Sequence, residues 1–152
     1  MSHKSPKIAE WIRQFQGRGM DPHYLGFIEC FNQGRFYEAH DVLEELWLGC
    51  RREPVGNFYK ALIQLAGAFV HLQKQRLRPA AALFRLSAEY LSPFAPVHER
   101  LDVLAVLGLI RHWEGLLRQK KFEVNPLDSE PPPRLARVDA PGAMGGSTAK
   151  NP

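Results

Sequence analysis

Apolar residues recur every three or four positions in successive stretches of this chain, and no strand-like alternation competes with them, so helices must bury the core. The most apolar stretch runs from Val55 to about Gln75 and sets Phe58, Leu62, Leu65, Ala66, Phe69 and Leu72 on one stripe. Ala61, Gly67 and Ala68 are small enough there to let neighbours approach, which marks the central helix. Asp21-Pro22 opens an earlier helix carrying Leu25, Ile28 and Phe31, and Asn32-Gln33-Gly34 closes it. The next runs from about Arg35 to Gly49 on Phe36, Ala39, Leu43 and Leu46, with Cys50 at its end and a turn at Arg51 to Pro54. Pro79 opens a helix through Leu91, Pro93 and Pro96 force an irregular crossing, and Asp102 caps a last helix ending near Lys121.

The expected fold class is all-α, a compact bundle of about five helices with a disordered C-terminal tail. With 152 residues, 45% of them hydrophobic, the chain can bury one core. Residues 1–20 form an N-terminal segment in which Ile8, Trp11, Ile12 and Phe15 share the face of a short amphipathic helix expected to dock on its own domain. Residues 21–121 form the bundle, and residues 122–152, with Pro131-Pro132-Pro133 and Gly145-Gly146, form the Pro/Gly-rich tail.

Composition excludes several classes. The 20 Lys+Arg against 16 Asp+Glu give only +4, and many of these cations alternate with acids along helices, so nucleic acid is an unlikely partner. No apolar run is long enough for a transmembrane segment, and no signal peptide opens the chain. Cys30 and Cys50 form no CxxC pair and read as buried thiols of a cytoplasmic protein.

The chemistry concentrates in Phe36-Tyr37-Glu38-Ala39-His40-Asp41-Val42-Leu43-Glu44-Glu45-Leu46-Trp47. On a helix His40 and Glu44 are one turn apart and Trp47 follows a turn later, so all three project from one side beside the buried stripe. This stretch resembles domain-of-unknown-function family 309, whose hallmark is His-x-x-x-Glu-x-x-Trp or Tyr inside a Glu-Ala-His-Glu-x-x-Glu-x-x-Trp run. His40, Glu44 and Trp47 match the hallmark, Glu38 and Ala39 match the run, and Asp41 stands where Glu is usual. Leu62-Ile63-Gln64-Leu65-Ala66 with His71 resembles the second signature, and Pro79 to Leu91 occupies the third, with Pro79-Ala80 in place of its Gly-Ala pair. The resemblance spans roughly Phe31 to Leu91 and implies an all-helical protein without an established activity.

Three readings follow for the residues His40, Glu44, Trp47 and Gln64. In the first, His40, Glu44 and Gln64 form a buried hydrogen-bond cluster that fixes helix register, or a small-ligand site if a pocket opens beside Trp47, Phe58 and Tyr59. In the second, His40 and Glu44 hold a divalent metal ion, alone or for a metal-dependent reaction, at a spacing that helical metal sites use. In the third, the bundle is an interaction module for a protein partner or a second copy of itself.

A straight antiparallel hairpin about Arg52 and Glu53 puts Gln64 level with His40 or Asp41 and His71 roughly 9 Å beyond them, too far for a shared ion. His98 and His112 have no partner at ligand spacing, and Glu38, Asp41 and Glu45 are expected on a solvated acidic face. No catalytic triad, phosphate loop or complete metal motif is present, so catalytic residues are unknown.

Overall fold

Asp21 opens the first main helix as its chemistry requires: its carboxylate accepts the amide of His23 at 2.8 Å, and Pro22 takes the first helical position. At the other end Gly34, with φ 76°, donates to the Phe31 carbonyl while Arg35 donates to the Cys30 carbonyl, which satisfies the last turn. The next helix starts within two residues of that stop. Such short connections force antiparallel neighbours, and the next two helix-to-helix connections, at residues 51–55 and 74–76, are also short.

The computed structural model describes residues 6–138, and among them are six helices: α1 (Pro6–Arg13), α2 (Pro22–Asn32), α3 (Phe36–Cys50), α4 (Gly56–Gln73), α5 (Leu77–Leu91) and α6 (Val103–Gln119). The count exceeds the expected five by α1, the short amphipathic N-terminal helix read apart from the bundle, which packs on α2. Each helix packs chiefly on its neighbour in sequence, with the closest association between α4 and α5. No helix among the described residues is long and apolar enough to cross a membrane.

Helix α4 is central, as its composition implied. Phe69 on α4 is fully buried and meets the rings of Phe36 at 4.9 Å, Trp113 at 4.9 Å, Phe84 at 5.2 Å and Phe31 at 5.7 Å, so one side chain joins α2, α3, α5 and α6. Ser87, also fully buried, donates to the Ala61 carbonyl at 2.7 Å and fixes α5 on α4 without an unpaired hydroxyl.

Local differences from expectation have identifiable causes. Helix α5 begins at Leu77 and places Pro79 third, still within the first turn, where a missing amide hydrogen costs nothing. After α5, a 3-10 turn at Ser92–Phe94 leads to two short strands, β1 (Val97–His98) and β2 (Leu101–Asp102). Two residues per strand are too few for an alternation to show in the sequence. Glu99 and Arg100, both at positive φ, make the two-residue turn between them.

Residues 122–138, assigned to the disordered tail by composition, lie against the bundle instead, so the folded part extends past the boundary expected at 121. Asn125 is buried and donates to the Leu72 carbonyl at the end of α4, and Asn32 grips both the amide and the carbonyl of Leu135. Asn32 thus supplies partners that a proline-rich stretch cannot find in itself, and Asn125 ties the start of the segment to α4. Residues 139–152, the rest of the expected tail, lie outside the described residues.

The α3–α4 turn depends on a residue without a side chain. A Cβ on Gly56 would stand 2.7 Å from the Arg51 carbonyl oxygen and 2.8 Å from that of Cys50, both backbone atoms that cannot rotate aside. Gly56→Ala is expected to lower stability by about 1–2 kcal/mol despite the better helix propensity of alanine, as urea denaturation would show. Unchanged or increased stability would show that the turn relaxes freely.

Candidate functional site

Helix α3 carries the site residues because its buried stripe of Phe36, Ala39, Val42 and Leu43 faces the core and turns the neighbouring positions toward its edge. His40 and Glu44 emerge there one turn apart, both half-buried, as their spacing predicts. Asp41 joins them. One ligand atom from each of His40, Asp41 and Glu44 lies within 4.8 Å of the other two, the one such group of three among the described residues.

The His40 Nδ1 atom is 3.3 Å from a carboxylate oxygen of Asp41, with side-chain exposures of 32% and 37%. The group is therefore shielded on its core side and open to solvent on the other. Asp41 was expected on a solvated face, since adjacent helical residues point about 100° apart. Its short side chain swings back toward the ring instead. The only signal that could have found it is its place in the family's run, where a carboxylate follows the histidine.

Gly67 on α4 faces this group: a Cβ there would touch Leu83 at 3.2 Å and the His40 ring at 4.0 Å. The small residue lets α4 approach α3 closely and sets the register. With Gly67 level with His40, the antiparallel hairpin puts Gln64 level with Leu43 and Glu44, a shift of about two residues from the straight-hairpin expectation. The Gln64 Oε1 atom is buried with no hydrogen-bond partner, so no bond links Gln64 to the histidine or the glutamate. Trp47 packs half-buried against the core.

The remaining histidines do different work. His71 is on α4 with a buried, unpartnered Nδ1; burial, reinforced by Arg76 and Lys74, holds it below the ordinary imidazole range. His98 is wedged between Phe58 at 4.6 Å and Phe94 at 4.8 Å. His112 faces Glu130 at the surface, 3.3 Å away. Neither cysteine is bonded, and burial pushes the Cys30 thiol up to about 11 and raises that of Cys50.

A second arrangement gave no sequence signal. His23, in the first turn of α2, points one ring nitrogen at Asp21, 3.2 Å away, and the other at Glu45 on α3, 3.1 Å away. Glu45, expected on the solvated face, has a side chain only 5% exposed because the start of α2 covers it. This pairing joins residues far apart in sequence and holds α2 to α3.

Taken together, these features define a small all-α bundle domain with a half-buried histidine and two carboxylates on the edge of its third helix. Residues 24–83 match the family model Domain of unknown function (DUF309), and over this stretch the chain is similar to that family. The matched region holds α3, with His40, Asp41 and Glu44, and the facing part of α4. No curated protein and no solved structure matches the chain.

Proposed function

We propose that this protein binds a divalent cation through His40, Asp41 and Glu44. The observation that carries the reading is the convergence of one nitrogen and two carboxylate oxygens within 4.8 Å on a half-buried surface. Ligands about 2.0–2.2 Å from one ion lie at most roughly 4.4 Å apart, so small side-chain rotations close the set. One imidazole with two carboxylates suits a first-row transition ion better than magnesium or calcium, which prefer oxygen alone. Three protein donors leave coordination positions for water or a small ligand.

The Gln64 Oε1 atom has no hydrogen-bond partner, so a register-fixing cluster of His40, Glu44 and Gln64 is not formed, which weakens the purely structural reading. Two cysteines without a disulfide, Cys30 buried and Cys50 half-buried, fit a cytoplasmic setting. A protein partner or a second copy of the chain would bind elsewhere and is compatible with the same site.

The test is titration of chelator-treated protein with Zn2+, Mn2+ and Co2+ by calorimetry, with elemental analysis of the protein as purified. One ion per chain is expected, and His40→Ala, Asp41→Ala and Glu44→Ala should each weaken uptake at least about tenfold, roughly 1.4 kcal/mol, with the helical signal retained. Glu38→Ala, on an exposed position of the same helix, should not. Uptake should fall with acid, because protons compete for the same imidazole and carboxylates. No uptake, or uptake indifferent to His40, removes the cation and leaves a small-ligand or structural role.

A further inference from the structure

A cleft of about 250 Å³ opens between α1 and the α2–α3 hairpin. It exists because Trp11 of α1 is held over Gly26 of α2: the indole nitrogen donates to the Gly26 carbonyl at 3.3 Å, and a Cβ on Gly26 would come within 2.9 Å of it. One turn before Trp11, the start of α1 overhangs Cys30 and α3 without closing on them. Arg35, from the α2–α3 turn, lays its guanidinium over the Trp11 ring at 5.2 Å and forms one side.

The lining is balanced in charge. Lys7 and Arg35 contribute cations, Glu38 and Asp41 contribute carboxylates, and Trp11 and Val42 offer apolar surface. The Cys30 thiol beneath them stays protonated, so it acts as an apolar surface and not as a nucleophile. A purely anionic ligand would meet two carboxylates, and a purely cationic one would meet Lys7 and Arg35. Only a ligand carrying both charges meets an opposite charge at each end. At about 30 Å³ per water, the space corresponds to roughly eight waters, about the size of a ligand of ten non-hydrogen atoms.

We infer that this cleft binds a small zwitterion of the α-amino acid type, its carboxylate toward Arg35, its ammonium toward Glu38 and Asp41, and a short apolar side chain against Trp11 and Val42. The cleft shares Asp41 with the neighbouring cation group, but binding there needs no cation. The occupant also bridges α1 to α3, so it tightens a helix that buries none of its own residues.

The Trp11 indole N–H is a local reporter, assigned by its loss in Trp11→Phe. The full chain, kept in chelator, is titrated with L-leucine, with 4-methylpentanoate, which lacks the ammonium, and with isoamylamine, which lacks the carboxylate. L-leucine is expected to shift the Trp11 indole signal saturably with Kd of about 1 mM or tighter, and the two analogues at least about tenfold more weakly. Arg35→Gln and Glu38→Gln should each weaken L-leucine binding at least about fivefold. Because the leucine titration runs in chelator and Arg35 lines only the cleft, loss of metal uptake and loss of leucine binding are separable results. No response to L-leucine, equal response to 4-methylpentanoate, or full binding by both charge variants overturns the inference.

Discussion

Phe69→Ala is expected to lower stability by about 3–5 kcal/mol, the largest loss that any single truncation in this core should produce. The side chain is fully buried and touches rings from four other helices, so no single neighbour can move in to fill the space. A domain of this size has about 5–15 kcal/mol in all, and a loss of this order should lower the melting temperature by roughly 10 °C. Phe69→Leu keeps most of the volume and should lose less than half as much. Calorimetric melts of the two variants beside the parent decide it. A Phe69→Ala loss below about 1 kcal/mol would mean that the aromatic hub repacks, and that α4 is not the element around which the bundle is organised.

What could be read in the sequence is what local chemistry determines. Asp21 and Asp102 announce their helices because each cap is closed by its own side chain within three residues, and the structure shows both bonds. The central role of α4 follows from a stripe too apolar to face water. His40 and Glu44 were visible together because helical spacing alone puts them on one side.

The rest depends on contacts between distant residues. Asn125 and Asn32 anchor a stretch whose composition argues for disorder, and nothing local marks either asparagine as an anchor. Asp41 reaches His40 by a side-chain rotation that spacing cannot foresee. The level of Gln64 along the hairpin rests on how closely Gly67 lets two helices approach, a matter of about two residues. Glu45 is the sharpest case: its own helix presents it at the edge, and His23 at the start of α2 meets it there, where the Glu45 side chain is 5% exposed.

That burial leads to the second large expected effect. His23→Ala should lower stability by about 2–3 kcal/mol, because it strips the imidazole from a carboxylate that is 5% exposed and cannot recover its hydration in place. The Asp21 cap should survive, since its carboxylate also accepts the His23 backbone amide, which any residue supplies. The loss therefore belongs to the α2–α3 contact and not to the helix start. Replacing both partners with apolar residues of similar size, as in His23→Leu with Glu45→Met, removes the buried charge together with its partner and should restore more than half of the loss. Urea denaturation of the single and double variants distinguishes the two causes. If the double variant is no more stable than His23→Ala, the imidazole stabilises the fold by its packing and not by its bond to Glu45, and the two helices are joined by shape alone.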